Sequence, residues 1–167
     1  MSDTSYSPCF TAIHATWVLL VVGALCSCGG EESAQLERRH DYMDSLRVYL
    51  GDLRLLDYQI GEAVQEDTIA SHRIVPLIIE TLRPTLENLR KRSLSLQRPE
   101  GTEEVHELLI HYLDLRIEAY DDAIRGEAEG KPGLFKRFSQ KQIEADGLGR
   151  KLEDELHELR GRTPGYY

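Results

Sequence analysis

Between residues 36 and 64 the chain repeats apolar side chains at steps of three, four or seven: Leu36, Met43, Leu46, Leu50, Leu53, Ile60 and Val64. That spacing lines up one side of an α-helix with 3.6 residues per turn, whereas a strand would scatter it over both faces. Tyr42, Tyr49 and Leu56 widen the stripe on one flank. The same period then returns three times. Val75, Ile78, Leu82, Leu86, Leu89 and Leu96 make a second stripe. Val105, Leu108, Leu109, Tyr112, Ala119, Tyr120 and Ala123 make a third, and Leu134, Phe138, Ala145, Leu148, Leu152, Leu156 and Leu159 a fourth. Arg98-Pro99-Glu100-Gly101 and the glycine-rich stretch Gly126 to Gly133 read as breaks between them.

A helix with one apolar stripe must bury it against another element. Four in series with short links therefore predict an all-α fold, an antiparallel four-helix bundle. The expected helices cover 34–66, 72–97, 102–126 and 134–160, and 161–167 is expected to be a flexible tail. Pro76 is placed in the opening turn of the second helix, where a missing N–H is harmless. Pro84 falls inside that helix and should bend it. Thr102, followed by Glu103 and Glu104, marks the start of the third.

Ahead of the first stripe runs Ala15 to Cys28, ATWVLLVVGALCSC, without a charge. Its apolar core matches the ~7 to 15 residues of an export signal and falls short of the ~20 needed to span a bilayer. Leu25-Cys26-Ser27-Cys28 resembles the lipobox of bacterial lipoproteins, with Leu three places before the cysteine and a small residue just before it. The resemblance covers residues 1–28. It implies that 1–27 is a signal peptide removed by the lipoprotein signal peptidase, that Cys28 carries a diacylglyceryl thioether, and that 28–33 is a lipidated tether. It also implies a place in the cell envelope, facing the periplasm or exterior, and Gly29 rather than Asp after Cys28 is compatible with the outer membrane.

All three cysteines, Cys9, Cys26 and Cys28, lie in this leader. Cleavage and lipidation would leave the mature chain with neither a free thiol nor a disulfide, which suits an oxidising compartment. The first residues, MSDTSYSPC, depart from the usual positively charged start of a signal. The alternative expectation is that Phe10 to Cys28 stays uncleaved and anchors the soluble domain.

The net charge of -9 argues against nucleic acid as a partner. His106 and His111 stand five residues apart, about 140° from each other on a helix, so one metal ion cannot take both. They are expected at the solvent edge. Glu103 with His106 and Asp154 with His157 have the spacing of a di-iron carboxylate bundle, a weaker alternative because Glu103 and His157 fall off their stripes. No catalytic residues, metal or other cofactor are expected.

Two charges interrupt the apolar stripes. Asp57 lies between Leu53 and Ile60, and Arg116 between Tyr112 and Ala119. A buried Asp57–Arg116 pair would fix which helix packs beside which. The composite expectation is a non-catalytic interaction or accessory module, held to a membrane by its N-terminal lipid and binding another envelope protein or itself. The alternative is a periplasmic ligand or metal binder with a pocket lined by Tyr, His and carboxylates.

Overall fold

The structure, a computed structural model, describes residues 12–65 and 71–165 and defines side-chain surroundings for 30–60 and 74–165. The chain divides into two compact units, Met1–Glu37 and Arg38–Tyr167. The described residues of the first are helical, the opening part of α1 (Ala12–Gln65). The expected tether at 28–33 is thus helical in the structure, and its Glu31, Glu32 and Ser33 are exposed. Glu31, Glu32, Ala34 and Gln35 are good helix formers and outweigh the cost of Gly29 and Gly30. The signal peptide and the lipid site at Cys28 concern side chains outside the described residues.

The second unit is all-helical, and no strand occurs among the described residues. After α1 come α2 (Ser71–Leu77), a π-helical turn (Ile78–Leu82), α3 (Arg83–Leu94), α4 (Glu103–Glu129) and α5 (Pro132–Arg162). The stripes on all of these feed one apolar cluster. Its fully buried members include Met43 and Leu46 from α1, Ile78 and Leu82 from the π-turn, Leu113 and Tyr120 from α4, and Leu152 from α5. Helix α4 packs against both α5 and α3.

The second rod runs from Ser71 to Leu94 without a break and absorbs two prolines. Pro76 lies inside α2 rather than in its opening turn, because the helix begins at Ser71. Pro84 is the second residue of α3, directly after the π-turn, whose last bond runs from the Arg83 N–H to the Ile78 carbonyl. A proline has no N–H and its ring crowds the carbonyl four residues back. The wider π-turn accommodates both effects within one rod. Both prolines are exposed.

Each connection has a local cause. The Thr102 hydroxyl turns back to donate to the Pro99 carbonyl at 2.7 Å and makes no cap on α4, although α4 does begin at Glu103. Gly101, at φ 81°, supplies the left-handed residue of that turn. At the other end of α4, Gly130 is left-handed, its N–H bonding Glu127 O while the Lys131 N–H reaches Gly126 O. These paired bonds extend α4 past the expected end at 126 and reverse the chain into α5. Helix α5 likewise passes the expected stop at 160. Thr163 is buried behind it with its hydroxyl on Leu159 O, so the start of the predicted tail is packed.

Gly126 marks the tightest point of the α4–α5 turn, since a Cβ there would lie 2.9 Å from the Phe135 ring and 3.3 Å from Leu134 Cβ. Gly147, inside α5, faces open space. The two glycines should respond oppositely in urea unfolding. Gly126→Val is expected to lose about 1–3 kcal/mol through overpacking, and Gly147→Ala to gain about 0.5–1 kcal/mol through helix propensity.

Candidate functional site

Arg116 is carried into the core by the third stripe. It is 5% exposed, at a level of α4 where the neighbouring turns supply Tyr112 and Tyr120. All three of its guanidinium nitrogens donate there. Nε and Nη2 donate to the Tyr112 hydroxyl at 3.0 and 2.9 Å. Nη2 also donates to Asp57 of α1 and Nη1 to Gln142 of α5, while Asp146 of α5 lies 3.7 Å away. Asp57 itself keeps about half its side chain in solvent, at 49% exposure, so the pair has one buried member and one at the rim. Gly149 helps α5 fit here: a Cβ at that position would stand 3.4 Å from the Tyr112 ring.

The electrostatics follow from this packing. Burial works against the charge of Arg116, but the oxygens of Tyr112 and Asp57 more than offset it and the pKa is raised, so the side chain remains a cation. Burial also pushes the Tyr112 and Tyr120 phenols above their usual 10.0. They stay neutral hydrogen-bonding groups. With its donors directed at protein oxygens, Arg116 acts as a positioning group for three helices. Its partners Asp57 and Tyr112 also line a recess of about 180 Å³, together with Leu50, Leu53, Leu152 and Arg54.

A second buried charge was not apparent from the sequence. Asp122 is 5% exposed and meets Arg137 Nη2 at 2.8 Å and Lys141 Nζ at 3.1 Å, both from α5. Lys141 also reaches Glu118 at 3.0 Å. The usable signal was the register of Arg116, Ala119, Asp122 and Gly126, which advances by threes and fours along one buried side of α4.

His106 differs from the expectation. It is 4% exposed rather than at the solvent edge, because it lies in the first turn of α4 at the level where Tyr42 of α1 packs. Tyr42 Oη lies 3.3 Å from His106 Nδ1, and the rings are 6.2 Å apart. Burial, followed by the nearby Arg98 cation, holds the His106 pKa below 6.5. The imidazole is neutral at pH 7 and shares a hydrogen bond with the phenol. His111, Glu103, Asp154 and His157 are exposed. Among the described residues no group of three or more His, Cys, Asp or Glu is placed to hold a metal ion.

No protein-family model matches the sequence, nor does any curated protein or solved structure.

Removing Arg116 would strand the Tyr112 and Gln142 partners. Arg116→Met is expected to cost about 1–3 kcal/mol, with a coupling to Asp57→Asn of roughly 1 kcal/mol because Asp57 is half exposed. Strictly additive losses in the double-mutant cycle of thermal melts would refute the pairing. For His106 the sign is fixed by a folded-state pKa below the unfolded 6.5. The unfolded chain binds the extra proton first, so stability is full above pH 6.5 and declines as pH falls through and below it. Urea midpoints measured from pH 7.5 to 5 should show that decline, and His106→Gln should flatten it.

Proposed function

We propose that the protein is a lipid-tethered, non-catalytic interaction module whose helices form an antiparallel four-helix bundle on the envelope side of a membrane. The observation that carries the interaction role is the outward face of α1. Val48, Leu55 and Tyr58 stand 55%, 57% and 62% exposed on one side of a helix whose other side is built into the core. Large apolar side chains gathered on one exposed helix face are typical of a surface that meets a partner.

The tethering rests on Leu25-Cys26-Ser27-Cys28. With residues 1–27 removed and a diacylglyceryl group on Cys28, the helical body stays at the membrane without a spanning segment. Among the described residues no helix is long and apolar enough to cross a membrane. The bundle is supported by the single core cluster that α1, the second rod, α4 and α5 share.

A ligand-binding reading has one observation in its favour. Leu94, Arg98, His106, Glu107, Ile110 and His111 border a concavity of about 450 Å³ where α3 gives way to α4.

Intact-mass spectrometry of membrane-extracted protein tests the tether. The expected species begins at Cys28 and carries the lipid, and Cys28→Ala should abolish both the cut and the added mass. Recovery of a chain that still begins at Met1 with an unmodified Cys28 would overturn it.

A further inference from the structure

We infer that the outward face of α1 is a homodimerisation seam, which pairs with the same face of a second copy, parallel and in register. The inference rests on the interaction role proposed above and names its partner. Val48, Gly51, Leu55 and Tyr58 recur at steps of three and four, the a and d spacing of a two-stranded coiled coil. Leu53, midway between them in sequence, occupies the opposite side of α1 and is buried in the core. The seam therefore lies on the side of α1 away from the core.

Charges flanking the seam select both the partner and its direction. In the heptad set by Val48 at a, Arg47 and Arg54 fall at g, and Asp52 and Gln59 at e. A parallel, in-register pair brings each g residue to the e residue five places on in the other copy. Arg47 then meets Asp52, and Arg54 meets the neutral Gln59. An antiparallel pair would set Arg54 against Arg54 and Asp52 against Asp52, like charge on like. Arg54 is 74% exposed in its contact with Glu153, and Asp52 is 44% exposed at 3.6 Å from Arg92, so both remain within reach of a second chain.

The seam is short for a definite reason. One heptad before Val48 and Gly51 the same positions hold Asp41 and Asp44, which in a parallel pair face their own copies. Gly51, with nothing within 4 Å of where its Cβ would be, leaves one d layer thin. Both features limit the dimer to weak, reversible association.

Full-length protein purified in detergent is the material for the test. Sedimentation from about 1 µM to about 1 mM should show a reversible monomer–dimer equilibrium. Leu55→Glu is expected to weaken it at least about tenfold by placing like charges in the seam, and Gly51→Leu to strengthen it about tenfold by filling the d layer. Circular dichroism of both variants should be unchanged, since neither residue is part of the core. Arg47→Glu should weaken the dimer, and adding Asp52→Arg should restore it.

Gly51→Cys reads the direction. Oxidation should join the introduced thiols of two copies in a disulfide, located by peptide mapping apart from Cys9, Cys26 and Cys28. A monomer throughout that range, or a dimer indifferent to Leu55→Glu, would overturn the seam. A crosslink from the introduced thiol in native membranes to a different protein, and never to a second copy, would overturn self-pairing while leaving the interaction module standing.

Discussion

A guanidinium taken out of water must be met by oxygens, and the placement of three helices is tied to how Arg116 is met. Its donors go to Tyr112 in its own helix, Asp57 in α1 and Gln142 in α5. Rotating or sliding either neighbour would leave a charge in the core with fewer partners, a loss that apolar contacts alone would not register. Leu against Leu tolerates a shift of register; Arg116 does not. The apolar cluster supplies most of the driving force for collapse, and Arg116 narrows which of the collapsed arrangements survives.

Helix α4 extends the same logic along its length. Toward α3 it offers Asp114 to Arg90 and Asp121 to Arg83. Toward α5 it offers Glu118 and Asp122 to Lys141, with Arg137 also on Asp122. Most of these pairs are partly exposed and individually contribute little. Taken in order, they alternate between two neighbours along one helix and oppose a one-turn slip in either. Such a slip would break several pairs at once while leaving the hydrophobic stripes facing inward.

The four stripes were legible because burial imposes a period. Met43, Leu46, Leu53, Leu82, Leu109 and Leu152 lie in the core at the positions their spacing indicates. What was not legible depends on chemistry without a period. The π-turn before Pro84 is a response to one missing N–H in the context of a whole rod. The burial of His106 depends on where Tyr42, 64 residues earlier, falls across the fold. Thr102 looked like a helix cap by type, but its hydroxyl found the Pro99 carbonyl first. Asp57 and Arg116 stood out as charges in apolar registers. Asp122 did not, because Ala123 beside it fills the stripe and an Asp next door reads as surface.

The polar contacts at Arg116 and the exposed face of α1 are consequences of the same constraint. A helix with apolar residues on two sides has two ways to sit, because either side can serve as its inner face. For α1 the choice lies between the side of Met43, Leu46 and Leu53 and the side of Val48, Leu55 and Tyr58. The first is richer in apolar volume, yet hydrophobic burial varies gradually with rotation and sets the angle only loosely. Asp57 sits about 40° from the line of Leu53 on a helix wheel, within the arc of the inner face that ends at Met43. Its contact with Arg116 is made at the rotation that sends Val48, Leu55 and Tyr58 outward together. The ion pair therefore adds a polar constraint to a rotation that burial of Tyr42, Met43, Leu46, Tyr49, Leu53 and Leu56 already favours.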